Sequence, residues 1–197
     1  MGLADLKTLD EIAIANQTDM ATVFTRTYAK PHGYTLHLEN FFEPIRFSPI
    51  KLLEIGVGGG ESIKAWLQYF PNGKIFGVDN FQGSNEWNTP GFPHERYVFN
   101  CADQKDPVFW ECFIANHGKD WDVIVDDGGH EAPQIQVTFA SMWPVMRPGG
   151  FYCVEDLGYD WARNYPWLSS LIGRVNSGAI DAKSMHFSKE LLVLTKC

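Results

Sequence analysis

No stretch of the 197 residues approaches the roughly 18 consecutive apolar residues of a membrane-spanning helix, which excludes a helical membrane protein. Cysteine is scarce: Cys101, Cys112, Cys153 and Cys197 form no C-x-x-C pair, and Cys153 lies in an apolar run, the pattern of reduced structural thiols. Basic residues are outnumbered, 16 Lys and Arg against 24 Asp and Glu, leaving a net charge of -8. Without a Lys/Arg cluster to offset that charge, a role that wraps a phosphate backbone is disfavoured, so small-molecule chemistry is expected and nucleic-acid binding is not. The N-terminal MGLADLKTLDEIAIANQ has acids where a signal peptide needs basic residues, and Leu6 stands where a myristoylation motif needs Ser or Thr. The expectation is a cytoplasmic protein without membrane contact. Repeats and low-complexity tracts are lacking too.

What is present is an ordinary globular composition, 45% hydrophobic and 20% charged, and a length that suits one domain over residues 1–197. Apolar spacing predicts helices near 3–15 and 19–30 within an N-terminal helical segment of about 1–48. Short apolar runs then alternate with helical patterns. KLLEIG (51–56), KIFGVD (74–79), RYVF (96–99), DVIVD (122–126) and FYCVED (151–156) read as buried strands; SIKAWLQYF, DPVFWECFIANH and PQIQVTFASMWPVM read as helices. Such alternation predicts a parallel sheet with helices on both faces, and MHFS-KE-LLVLTK predicts a closing antiparallel hairpin. Two segments interrupt the rhythm. Residues 80–95, rich in Gly, Pro and Asn with Phe81, Trp87 and Phe92, fit either a solvated loop or a lid, and residues 157–184 separate the fifth strand from the tail.

LLEIGVGGGES places Gly56, Gly58, Gly59 and Gly60 between the first strand and a helix, where positive φ and close backbone approach let a ligand lie across the strand ends. A dinucleotide fingerprint from Gly56 would need glycine at position 61, which is Glu61; an NAD-dependent oxidoreductase is thereby disfavoured. The pattern that begins at Glu54, E-x-G-x-G-x-G, suits S-adenosylmethionine (SAM) better. Asp79 ends the second strand, where an acid can accept from ribose hydroxyls, and Asp103 and Gln104 follow the third, where Asp103 can accept from an adenine amino group. An acid at a strand end also serves as a helix cap or a solvated residue, but three such features at successive strand ends favour a cofactor site. Order and spacing resemble the class I SAM-dependent methyltransferases from about residue 30 onward. The resemblance implies a Rossmann-like, doubly wound, mostly parallel seven-stranded sheet with the C-terminal antiparallel hairpin.

The fourth strand ends in Asp126 and Asp127 and the fifth in Glu155 and Asp156. On neighbouring parallel strands about 5 Å apart, these four carboxylates converge, and a hard divalent cation is an economical neutraliser. Capping of the next helix is the alternative. His130, three residues past Asp127 on a glycine-loosened turn, can face the same crevice and act as a general base near neutral pH.

KPHGYTLHLENFFEPIR, KLLEIGVGGGES, IVDDGGH and VEDL together resemble the macrolide-sugar O-methyltransferases of the mycinamicin and tylosin type. The resemblance implies Asp127, Glu155 and Asp156 as Mg2+ ligands and His130 as catalytic base. It implies a SAM site lined by Tyr34, Glu54, Gly56, Gly58, Asp79, Asp103, Gln104 and Asp126, with Asp126 ambiguous between the methionine end of SAM and support of the metal ligands. Lys30, His32, Gly33 and Tyr34 match a segment that packs near the cofactor in relatives. Gly129 and Glu131 depart from the pattern, standing where many relatives carry serine and histidine. The implied reaction is methyl transfer from SAM to a small-molecule hydroxyl, one of a vicinal pair on a sugar or natural product, by a homo-oligomer. A catechol-type phenol presents adjacent oxygens as well, and a cephalosporin hydroxylase-like accessory protein or a non-catalytic SAM-binding subunit would keep the same pocket.

Overall fold

A computed structural model describes residues 6–24, 30–80 and 94–197. Its seven strands are β1 (Lys51–Ile55), β2 (Lys74–Asp79), β3 (Tyr97–Cys101), β4 (Trp121–Asp126), β5 (Met146–Val154), β6 (Ala182–Ser188) and β7 (Leu191–Lys196). They form one sheet in the order β3-β2-β1-β4-β5-β7-β6. The first five pair in parallel, whereas β7 runs antiparallel to β5 and to β6. The expected Rossmann-like α/β architecture is therefore the observed one, down to the hairpin turned by Lys189 and Glu190, with Lys189 at φ 53°.

The strands read as continuous apolar runs because both faces of the sheet are covered. Leu52, Val123, Val125 and Val193 point into one core, against α1 (Leu9–Asn16), α2 (Thr35–Phe42) and α3 (Glu61–Tyr69). Leu53, Ile124, Tyr152 and Leu192 point into the other, against α4 (Pro107–His117), α5 (Ala132–Met142) and α6 (Trp161–Asn176). Each fully buried aliphatic side chain contributes about 1.5 to 3 kcal/mol, so the central strands are anchored from two sides. Strand order reverses between β1 and β4, and in sheets of this kind the diverging loops open a crevice at that point.

The N-terminal expectations need correction. Helix α1 starts at Leu9, because Thr8 caps it: Glu11 N donates to Thr8 Oγ1 (3.1 Å) while Thr8 N donates to the Glu11 carboxylate (2.8 Å). The helix expected over 19–30 is not formed in its described part, 19–24 and 30. Asp10 accepts from Thr22 N (2.8 Å) and from Thr35 Oγ1 (2.6 Å), and these bonds fold the segment back on itself. Residues 1–5, 25–29 and 81–93 lie outside the described residues, and with them the ends of both expected helices and the loop bearing Phe81, Trp87 and Phe92.

Two further helices are not individually predicted by the apolar pattern, the first of them inside the expected helical segment of about 1–48. Thr35–Phe42 is a short one within the KPHGYTLHLENFF motif, and Trp161–Asn176 fills most of the segment between the fifth strand and the tail. Pro166 lies inside the second, at the cost of one backbone hydrogen bond. Burial of Trp167, Leu168 and Leu171 against the second core outweighs that loss.

Candidate active site

The turn after β1 is shaped by positive φ at Gly56 (86°) and Gly58 (50°). A Cβ on Gly56 would collide with the Asp127 carbonyl oxygen, so only glycine lets β1 and the acidic loop after β4 come this close. Asp79 Oδ2 accepts from Val57 N (2.9 Å) and Gly58 N (3.0 Å) and so fixes the turn from the end of β2. Glu54, 1% exposed, accepts from Ser62 Oγ and Trp66 Nε1, both at 2.9 Å. Burial pushes its carboxyl up to about 7 in spite of those two donors.

A cavity of about 570 Å³ lies over this turn and is bounded by Glu54, Gly56, Asp79, Asp127, His130 and Glu155 among others. A smaller space of about 140 Å³ shares Gly56, Asp79 and Gly128 with it and extends to Asp103 and Gln104. Both spaces border Asp79, one on the side of the acidic loops and the other toward the end of β3. Asp103, whose Oδ1 accepts from Lys105 N (2.9 Å), stands at that far end.

Gln104 borders the smaller space and also braces Asp126. Gln104 Nε2 donates to Asp126 Oδ1 (3.1 Å) and Thr138 Oγ1 (3.2 Å), and its Oε1 accepts from Gly129 N (2.7 Å). Asp126 also accepts from the Tyr152 hydroxyl (3.2 Å), and burial raises its carboxyl to about 6. Asp126 thus sits in a buried polar strap beneath the acidic loop and not among the residues bounding either cavity.

The acids after β4 and β5 do converge. One donor atom each from Asp127, His130 and Asp156 lies within 4.8 Å of the others. Glu155, 5% exposed, borders the same cavity without joining that compact set, and its Oε1 has no hydrogen-bond partner. Burial, and then the neighbouring carboxylates, hold both Asp127 and Glu155 well above the carboxylate range. His130 stands at φ 56° with Nδ1 buried and unpartnered, and burial lowers its basicity against the attraction of Asp156. A partnerless buried oxygen beside mutually repelling carboxyls fits a divalent cation held by oxygen donors, with the His130 imidazole beside it.

Asp156 differs from its neighbours. Burial alone would raise its carboxyl, but hydrogen bonds from His32 Nδ1 (3.1 Å) and the Tyr34 hydroxyl (2.6 Å) leave it below the ordinary value. Tyr34, expected at the cofactor, thus commits its hydroxyl to Asp156 and does not border the cavity.

Sequence reasoning missed Asp19 and Asn164. Asp19 borders the cavity from the turn after α1, where nothing in NQTDM distinguishes it from a solvated acid. Asn164, 1% exposed, donates through Nδ2 to the carbonyls of His130 (2.7 Å) and Leu157 (3.1 Å), tying the two acidic loops together. Only recognition of α6 would have placed it there.

Sheet order, glycine turn and the acid closing β2 define the α/β methyltransferase fold, and a solved structure bears this out. The chain matches a MycE methyltransferase from the mycinamycin biosynthetic pathway, in complex with Mg, SAH and mycinamycin VI, with a TM-score of 0.81 and 24% identity over 98% of this chain and 55% of that one. The chain is a homologue of the sugar O-methyltransferases of antibiotic biosynthesis, as its motifs led one to expect. An 8-demethyl-8-(2-methoxy-alpha-L-rhamnosyl)-tetracenomycin-C 3'-O-methyltransferase of Streptomyces olivaceus is 37% identical over 64% of the chain. Mycinamicin VI 2''-O-methyltransferase of Micromonospora griseorubida is 31% identical over 86% of it. The chain spans 32% and 41% of the length of these two relatives. No family model matches it.

Proposed function

We propose that this chain carries SAM- and Mg2+-dependent O-methyl transfer to a hydroxyl, one of a vicinal pair, on a sugar of a natural product. The observation that carries the reading is the compact Asp127, His130 and Asp156 set beside the unpartnered Glu155 oxygen, all lining the cavity over the glycine turn. The relatives' names supply the acceptor class, and a solved neighbour holds Mg and SAH.

When bound, SAM would supply an electrophilic methyl group and Mg2+ would supply Lewis-acid polarisation of the acceptor hydroxyl. Asp127, Glu155 and Asp156 are the residues to hold the cation. Gly56 and Gly58 leave room for the cofactor, Asp79 is placed for the ribose, and Asp103 stands in the smaller space where an adenine fits. His130 takes the hydroxyl proton on its imidazole: burial keeps the ring neutral at pH 7, and a neutral ring is the proton-accepting form. Asn164 fixes the turn from which the ring projects.

A screen with methyl-labelled SAM tests the reading, using deoxysugar glycosides and catechols as acceptors, with and without EDTA. Transfer to a glycoside that EDTA abolishes is expected. Transfer to catechols alone would move the acceptor to phenols, and EDTA-resistant transfer would remove the metal. A cytoplasmic location and a homo-oligomer complete the proposal; among the described residues no helix is long and apolar enough to cross a membrane, and sedimentation measures the assembly.

A further inference from the structure

The segment Lys30–Thr35 brings His32 and Tyr34 up to the cation site from outside the cavity. His32 N donates to Asp19 O (2.8 Å), Gly33 N to Ala21 O (2.9 Å) and Thr35 N to Met20 O (3.1 Å), so three backbone bonds pin this arm to the turn after α1. Gly33 at φ 71° turns the backbone between the two rings, whose centroids lie 5.0 Å apart. Lys189 Nζ, from the β6–β7 turn, donates to the His32 carbonyl (3.2 Å) and holds the arm from the other side.

Both rings meet one atom. Asp156 Oδ1 receives the Tyr34 hydroxyl at 2.6 Å and lies 3.1 Å from His32 Nδ1. A carboxylate oxygen has two lone-pair sites, and two donors fill them. The remaining acceptor capacity of Asp156 is on Oδ2. Asp156 itself stands at φ 53°, in the left-handed region that aspartate adopts more readily than most residues.

We propose that Tyr34 and His32 are positioning residues for the cation site, fixing Asp156 through Oδ1 so that Oδ2 alone is presented to the metal. The proposal rests on the metal reading above and assigns the KPHGY motif a role that neither cofactor contact nor packing gives it. Tyr34 is 2% exposed within the first core, and its ring serves that packing; its hydroxyl serves Asp156. Outer-shell partners of this kind typically account for about 10- to 100-fold in metal affinity.

Mn2+ is the probe, followed by EPR titration of the protein, with SAM affinity from calorimetry and Tm measured alongside. Tyr34→Phe keeps the ring and removes the hydroxyl; the expected result is Mn2+ binding weakened about 10- to 100-fold, with SAM affinity and Tm close to wild type. His32→Ala is expected to weaken Mn2+ in the same way, and His32→Asn, whose amide N–H can stand where Nδ1 stood, to restore much of the loss. Wild-type Mn2+ affinity in both Tyr34→Phe and His32→Ala would overturn the proposal and leave the proposed function standing. An equal loss of SAM and Mn2+ affinity would overturn it too, since that is general damage to the site. A wild-type protein that binds no Mn2+ would overturn both.

Discussion

Glu54→Gln is the substitution whose consequence can be worked out furthest. The side chain is buried between β1 and α3, and its carboxyl is raised from an ordinary 4.5 to about 7. A raised carboxyl pKa means that the folded state holds a proton which the unfolded chain releases. The stabilisation from that proton is present in full below pH 4.5 and is lost as pH rises through about 7, at up to ~1.36 kcal/mol per pH unit. Across that window the loss is about 3 kcal/mol. Glutamine imitates the protonated acid. Its oxygen can keep the bond from Trp66 Nε1, and its amide can donate to Ser62 Oγ, which now donates to Glu54 (2.9 Å). Urea unfolding of metal-free wild type and Glu54→Gln at half-unit steps from pH 4.5 to 8 measures the difference directly. The variant's stability relative to wild type should climb by about 3 kcal/mol and level off above pH 7. Parallel curves would show that Glu54 is ionised throughout, and the account of its burial would be wrong.

Asp127→Asn should abolish metal-dependent turnover, and in metal-free urea titrations at pH 8 it should be at least as stable as wild type. The sign follows from a carboxyl held well above its ordinary value: ionisation costs the fold stability as pH rises, and asparagine has no proton to lose. His130→Ala should lower kcat by about 10² to 10⁴ in the methyl-transfer assay while SAM binding by calorimetry is unchanged, and near-normal kcat would remove the base assignment. Asn164→Ala leaves the His130 and Leu157 carbonyls without their donor; urea unfolding should show a loss of about 1 to 3 kcal/mol, and metal affinity should fall with it because both acidic loops lose their common tie.

Strand positions were legible because burial on both faces of a parallel sheet writes uninterrupted apolar runs such as VIV and FYCV, and the acids that end those runs then share one edge by geometry alone. Convergence of Asp127, Asp156 and His130 therefore followed from parallel pairing of β4 and β5. What stayed hidden depends on side-chain direction. Asp126 and Asp127 are adjacent in sequence, but Asp126 is still in β4 and faces the core beneath the loop, where Gln104 and Tyr152 take its oxygens. Asp127, just past the strand, borders the cavity. Asp156 and Glu155 divide in a comparable way, one oxygen of Asp156 taken by Tyr34 while Glu155 Oε1 is left with nothing. Four acids that look equivalent in the sequence thus have three different fates. Half-buried Asp127 and buried Glu155 are held well above the ordinary carboxylate value by desolvation and by the neighbouring carboxylates, and that cost is the physical argument for a cation at this edge.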